Sequence, residues 1–279
     1  MSLTLQLPGL ADAGWNRTAW RKAPSRTMQI AILPEISAIF VLVFARVGTM
    51  VMLMPGIGER FIFSRARLSL AFFIALMLTP LMRPQMPVPT ETTGIVSLLL
   101  GEVLIGLGLG VCARLVMACL HTAGTIMAQS MGLGFAMTVD PTGGAQNPSV
   151  GNFLTMLGIT LILTSDLHHI AIAAIHESYR LLPPGAPLGV GDMVALGVKS
   201  AAQGFTLAVQ ISAPFIVFGL LFNLGLGVLA RMMPQLQVFF LAVPASIFGG
   251  MLVLLVVVGV MMSVFIDQLG AFLRQLAGG

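Results

Sequence analysis

The sequence has few charged residues, which make up 9% of its 279 residues, while 57% are hydrophobic. Soluble domains carry about 25% charged residues, so this composition excludes an ordinary soluble domain. The mean hydropathy is +0.98, and long apolar runs follow one another along the chain. Because a helix needs roughly 20 residues to cross a membrane, we predict an all-α, polytopic membrane protein with about six long, partly broken helices.

Cysteine pairs and catalytic motifs are missing as well. The two cysteines, Cys112 and Cys119, lie on one predicted helix at a separation of about 10 Å, which excludes a disulfide, and we expect both to be small buried residues. The sequence has no G-x-S-x-G nucleophile turn and no G-x-x-x-x-G-K-[ST] phosphate loop. We therefore expect no enzymatic activity, no catalytic residues and no cofactor.

The positive charge is concentrated at the N-terminus. The rest of the chain is almost neutral, so the basic balance does not indicate binding to nucleic acid. We predict a disordered polar extension over residues 1–27, a helical membrane domain over 28–270 and a short tail over 271–279. The extension supplies three of the net +4 charges through Arg17, Arg21, Lys22 and Arg26 against Asp12.

A glycine- and proline-rich segment, residues 132–151, separates two apolar runs near the middle of the chain. Glycine and proline disfavour a continuous helix, yet the first half of the segment is apolar at alternate positions. Irregular backbone persists in a membrane only where protein buries it or where it lines a cavity. We predict a plug on a path through the membrane, and the alternative is an ordinary interhelical loop packed on its own bundle. The predicted plug residues are Gly132, Leu133, Gly134, Phe135, Met137, Val139, Asp140, Pro141, Gly143, Gly144, Asn147 and Pro148.

Three charged residues, Arg46, Glu102 and Arg114, lie inside apolar runs. A charge there is costly, so it must face a partner or water. One interpretation is that these residues pair across subunits or line a polar path. The other is that they satisfy each other, for instance Arg46 with Glu102. Gly106 and Gly110, at the spacing that allows close helix contact, follow in the same run as Glu102.

Histidines cluster at Asp166-Leu-His168-His169, and His176 follows on the same predicted helix face as His169. Zinc-binding helices usually pair histidines four residues apart, and that spacing is missing. We interpret these side chains as interfacial residues and expect no metal site.

Short motifs resemble the FliR family in their order and spacing. They are FARVGTM (residues 44–50), MPGIGE (54–59) and RAR (65–67), then GEVLIG (101–106), MGLGF (131–135) and VDP (139–141). The resemblance covers about residues 30–270. The N-terminal motif residues are Pro55, Gly56, Gly58, Glu59, Arg65 and Arg67.

The resemblance implies a subunit of the type III export gate of the flagellar basal body in the bacterial inner membrane. FliR-like proteins build this gate with FliP and FliQ, are contacted by FlhB, and pass unfolded flagellar proteins. Their helices join a helical assembly, and the segment between the third and fourth helical regions is a plug. On this basis Phe135, Met137 and Val139 are the expected apolar plug contacts.

Three alternatives stay open. The first is the injectisome homologue SctT, which has the same mechanism and a different cargo. The second is a secondary transporter with discontinuous helices and a solute site at midplane. The third, an intramembrane enzyme, needs a nucleophile and a base that face each other, and no such pair is visible in the sequence.

Overall fold

The computed structural model describes residues 26–59, 61–86, 92–133, 149–186, 189–233 and 238–278. These residues form seven α-helices and no strand, which confirms the all-α class. A short 3₁₀ turn, Arg83–Gln85, follows the second helix. The helices are α1 (Arg26–Leu53), α2 (Ser64–Met82), α3 (Thr92–Ser130), α4 (Ser149–Thr164), α5 (Leu167–Leu181), α6 (Val190–Met232) and α7 (Val238–Leu276).

Five of the described helices are long and apolar enough to cross a membrane, and α4 with α5 forms a sixth if this pair, bent by 77°, is one span. The long apolar run before the central segment is one unbroken helix, α3, of 39 residues. With 43 residues in α6 and 39 in α7, these three helices are about 60 Å long at 1.5 Å per residue. That is about twice the hydrocarbon thickness of a bilayer.

Helix α3 lies at the centre, in contact with α1, α4 and α6. Gly106 and Gly110 bring it close to α1: a β-carbon on Gly106 would overlap the Thr49 hydroxyl, and one on Gly110 would lie 2.7 Å from the Leu53 β-carbon. The predicted close contact at this glycine pair is thereby confirmed. The helix backbones approach because neither glycine has a side chain.

Close contacts at glycines also join α3 to α4 and α6. A β-carbon on Gly204 of α6 would lie 2.8 Å from the carbonyl oxygen of Leu115, and one on Gly124 would overlap the backbone of Gly151 in α4. Cys112 and Cys119, on the same helix, are free and buried, as predicted. Small residues therefore let three helices pack directly onto α3.

The chain ends differ from the predicted boundaries. Where a tail was predicted from residue 271, α7 continues to Leu276 and buries Leu273. The predicted extension, residues 1–27, lies outside the described residues except for Arg26 and Thr27, which begin α1.

The outer faces of α6 and α7 are apolar and exposed in the isolated chain. Among the most exposed side chains are Leu220, Leu221 and Leu224 of α6, with Leu255 and Val256 of α7. Large apolar surfaces of this kind are covered by lipid or by protein.

Candidate functional site

The turn after α1 contains the second family motif, MPGIGE (residues 54–59). Pro55, Gly56 and Gly58 are buried there. Gly56 has φ +84°, a conformation that glycine adopts without strain, and a β-carbon on it would lie 3.2 Å from Ile162 of α4. The amide of Gly58 donates to the Met54 carbonyl at 2.7 Å. The turn is thus a tight, glycine-dependent joint against α4.

Arg67, at the start of α2, ties that helix to the turn. Its Nη1 donates to the carbonyl of Gly58 at 3.0 Å, and its Nη2 donates to Ser64 Oγ at 3.3 Å. Glu59 is partly exposed and Arg65 is exposed. Of the motif's charged residues, Arg67 is therefore the one whose contacts hold the turn.

Arg46 and Glu102 form a buried, two-point ion pair between α1 and α3. Nε of Arg46 donates to Oε2 of Glu102 at 2.5 Å, and Nη2 donates to Oε1 at 3.0 Å. The side chains are 0% and 2% exposed. The structure therefore contains the internal pairing, which was one of the two interpretations of these charges.

Arg46 also binds the C-terminal end of α5. Its Nη1 donates to the carbonyl oxygens of Ser178 at 3.1 Å and Leu182 at 2.9 Å. The Ser178 carbonyl also accepts from the Leu182 amide at 3.0 Å. Carbonyls at a helix C-terminus carry partial negative charge, which favours a cation. The guanidinium also lies over the ring of Tyr179, 4.2 Å from its centroid, at cation–π distance.

These contacts use four of the five N–H groups of Arg46 and connect α1, α3 and α5 at one point. Because the two opposite charges are paired, neither is buried without a partner, a situation that would destabilise the fold by about 3–5 kcal/mol. Sequence reasoning missed Tyr179 and the two carbonyls. The one available signal was Tyr179 itself, the single tyrosine of the chain.

Arg114 differs from the other two charges, because it lies on the exposed face of α3 in the isolated chain. The internal pairing found for Arg46 and Glu102 therefore does not extend to Arg114 within the described part of the chain. No described residue forms an ion pair or hydrogen bond with it. It lies where the exposed stripe of α3 changes from Leu104 and Leu107 to His121 and Gln129. The stripe is therefore apolar on the N-terminal side of Arg114 and mostly polar on the C-terminal side.

The central segment leaves α3 through a Schellman cap. The amide of Leu133 donates to the Ala128 carbonyl at 2.9 Å, and the amide of Gly132 donates to the Gln129 carbonyl at 3.1 Å. Gly132 has φ +78°, the left-handed conformation of this cap. Leu133 packs against the core. The first two predicted plug residues are thus a rigid helix end.

The segment returns at α4, where Val150 is buried and Gly151 lies against Gly124 of α3. Both ends of the segment are therefore attached to the last two turns of α3. The remaining predicted plug residues lie outside the described residues: Gly134, Phe135, Met137, Val139, Asp140, Pro141, Gly143, Gly144, Asn147 and Pro148.

A cleft of about 200 Å³ opens beside the point where the segment leaves α3. It lies between α6 and α7, and four polar side chains contribute to its wall: Gln129, Ser130, Asn223 and Ser246. A β-carbon on Gly132 would lie 2.8 Å from Ser246 Oγ. The segment therefore departs next to a cleft whose lining is mixed, with these polar side chains beside apolar ones such as Phe222 and Leu226.

The histidine cluster lies at the bend between α4 and α5. The structure brings ligand atoms of Asp166, His168 and His169 within 4.8 Å of one another, and this group does not include His176. The expectation from spacing considered helical pairs alone, and it did not anticipate the sharp bend at Asp166, which has φ +58°.

Comparison with known proteins gives consistent results. Residues 37–272 match the sequence profile of the family described as "Bacterial export proteins, family 1". The chain is similar to the flagellar biosynthetic protein FliR of Caulobacter vibrioides, with 46% identity over 211 residues that cover 75% of this chain and 84% of the relative. For FliR of Escherichia coli the identity is 32% over 206 residues (74% and 78%), and for that of Bacillus subtilis it is 30% over 225 residues (79% and 86%). The matched range contains the turn, the ion pair and both ends of the central segment.

Proposed function

Since the chain belongs to the family of bacterial export proteins, family 1, we propose that it is a subunit of the flagellar type III protein export gate. In this proposal it forms a channel for unfolded flagellar proteins with FliP-like and FliQ-like subunits, next to an FlhB-like subunit. It works without catalysis or a cofactor, in the inner membrane at the flagellar basal body. The observation that carries the proposal is the match over most of the chain to relatives that are named as flagellar.

The helix lengths support an assembly rather than a set of independent membrane crossings. Helices α3, α6 and α7 have about twice the length that a bilayer requires. In the apolar stretch of α6 that is suited to cross a membrane, only 11% is buried inside the chain. Partner helices that cover these long faces explain both properties, since lipid tails alone cannot cover 60 Å of apolar helix.

The central segment, residues 132–151, is the proposed plug. Its two ends are fixed to α3 by the Schellman cap at Gly132 and by the contact of Gly151 with Gly124. Fixed ends restrict where the intervening residues can reach, and the glycines among them permit movement about those ends. Phe135, Met137 and Val139 provide the apolar contacts that exclude water and ions from the closed channel.

Arg114 supports a polar path in the assembly. A cation near the middle of α3 is expensive when it faces lipid, by about 2.5–3.5 kcal/mol on insertion scales and by more in other estimates. Its exposed side therefore faces a carboxylate of a partner subunit or the water of the channel. The polar stripe that continues from it to Gln129 leads to the end of α3, where the plug begins.

The plug is tested by deleting residues 133–147 and measuring ion permeability in cells that make the whole complex. We expect higher permeability than in wild type, with FliP-like and FliQ-like proteins still co-purifying. The control is the same deletion in cells without the FliP-like protein, where the channel is absent and permeability should stay at the wild-type level. Unchanged permeability in the intact complex would contradict the plug.

The cargo and the class of protein are tested separately. Restoration of hook and filament export in a flagellar mutant by this chain supports a flagellar gate, whereas export of needle proteins indicates the injectisome alternative. A secondary transporter needs no obligate partners. Purification of a stable monomer that binds a small solute, without export-gate subunits, would therefore replace the proposal with the transporter.

A further inference from the structure

We propose that Asp166, His168 and His169 form a site for a divalent transition-metal ion at the bend between α4 and α5. The three residues each offer one ligand atom, and these atoms lie within 4.8 Å of one another. This site is separate from the proposed channel function, and its test does not depend on export.

The backbone fixes the three residues relative to each other. Two residues separate α4 from α5, whose axes differ in direction by 77°. The Ser165 amide donates to the Leu161 carbonyl at 2.9 Å, and the His169 amide donates to the Asp166 carbonyl at 3.0 Å. Asp166 takes the left-handed conformation, which aspartate tolerates better than most residues. The bend thus places the carboxylate over the first turn of α5.

The side chains converge on one another. Oδ1 of Asp166 lies 3.5 Å from Nδ1 of His169, and the two imidazole rings have centroids 4.1 Å apart. Ligands at about 2.0–2.2 Å from a common zinc ion are separated by roughly 3.4 Å in tetrahedral geometry. Because the Asp166 and His169 side chains are 79% and 68% exposed, small rotations bring all three ligand atoms to that spacing.

His168 provides an independent indication. Its Nδ1 is shielded from solvent and has no hydrogen-bond partner among the described residues. A shielded polar atom without a partner costs about 1–3 kcal/mol. A metal ion bound to this nitrogen supplies the partner, so we assign Nδ1 as the ligand atom of His168.

The ligand set selects the class of metal. Imidazole nitrogens suit zinc, copper, nickel and iron, whereas calcium and magnesium prefer oxygen ligands. Two nitrogens and one carboxylate leave room for water at the remaining positions. The positive end of α5 opposes a cation, and the Asp166 carboxylate offsets that effect. We therefore expect weak, exchangeable binding whose effect is to hold the bend.

The test is a Co²⁺ titration of the full chain, purified in detergent through a tag without histidine. Binding gives visible d–d absorption bands, which Zn²⁺ should abolish by displacement. We expect His168→Ala and His169→Ala each to lose the bands. His121→Ala and His176→Ala, which remove histidines outside the cluster, should keep them.

The outcomes separate the proposal from a surface ion pair between Asp166 and His169. An absence of bands in the wild-type chain overturns the site. Bands that survive His168→Ala overturn the assignment of its Nδ1 and the three-ligand site with it. To separate loss of binding from misfolding, each variant is checked by its elution volume in size-exclusion chromatography, which should match that of the wild-type chain.

Discussion

Gly106 of α3 lies so close to Thr49 of α1 that a β-carbon on the glycine would overlap the threonine hydroxyl. The hydroxyl oxygen lies 2.9 Å from the carbonyl oxygens of both Ala45 and Arg46, which share its single proton, so rotating it away breaks this hydrogen bond. The same β-carbon would lie 2.5 Å from the Arg46 carbonyl oxygen. Any side chain at position 106 therefore separates the two helices that the buried ion pair joins.

We accordingly predict that Gly106→Ala destabilises the chain by about 1–3 kcal/mol, the usual cost of overpacking. The matched control is Gly48→Ala on α1, because a β-carbon there meets no atom within 4 Å. That variant should hold or gain stability, since alanine favours helix by about 1 kcal/mol. Unfolding in detergent can be followed with a thiol-reactive dye, because Cys112 and Cys119 are buried until the chain opens. Equal melting temperatures for both variants would contradict the contact.

We predict that substitutions of Arg46 and Glu102 have non-additive effects on the free energy of unfolding. Arg46→Met and Glu102→Met should each lower the free energy of unfolding by about 3–5 kcal/mol, because each leaves a buried charge without its partner. In the double variant no unpaired charge remains. Its loss of unfolding free energy should therefore be smaller than the sum of the two single losses, and the difference should be about 1–3 kcal/mol. The same dye measurement is made on the wild type, the two single variants and the double variant, which completes a double-mutant cycle. Simple additivity would mean that the two side chains do not depend on each other.

We predict that closure of the channel depends on the left-handed backbone conformation of Gly132. Alanine at this position bears a cost of about 1–2 kcal/mol for its left-handed φ, and its β-carbon would lie 2.8 Å from Ser246 Oγ. We expect Gly132→Ala to assemble with its partners and to raise the ion permeability of the resting complex. Adding Ser246→Gly relieves only the steric part, so it should restore closure incompletely. Gly225→Ala, with open space around it, should leave permeability unchanged.

We predict that substitution of Arg114 impairs export by the assembled gate without affecting the stability of the isolated chain. Because it is exposed and unpaired within the described part of the chain, Arg114→Leu should change the stability of the isolated chain by no more than about 0.5 kcal/mol. In the assembled gate the loss of charge should reduce export strongly, and Arg114→Lys, which keeps the charge, should reduce it less. Export is measured from secreted hook protein. Wild-type export by Arg114→Leu would show that the assembly makes no use of this cation.

The class and the outline of the fold were predictable from local features of the sequence. Apolar runs of sufficient length identify the membrane helices, and the turn with Pro55 and Gly56 marks the end of α1, although Pro80, Pro214 and Pro244 lie inside helices. Helix α2 ends at Met82, two residues before Pro84, and the Gly106–Gly110 spacing indicated a close helix contact. The membrane domain was predicted to end at residue 270, but α7 continues to Leu276 as an amphipathic helix that buries Leu269 and Leu273. Apolar content alone therefore underestimates a helix whose last turns have one polar face.

The sequence by itself thus determined that this is a helical membrane protein of the export family with a glycine- and proline-rich segment near its centre. Hydrophobicity, glycine and proline content and short motifs are all properties of local sequence. The tertiary structure decided which charge pairs with which. Arg46 and Arg114 both lie in apolar runs, but one meets Glu102 and the end of α5 while the other meets no described partner. It also decided that the bend at Asp166 gathers two histidines. The reason is that a side chain's partners come from helices far apart in sequence, and their packing fixes which face of each helix is covered.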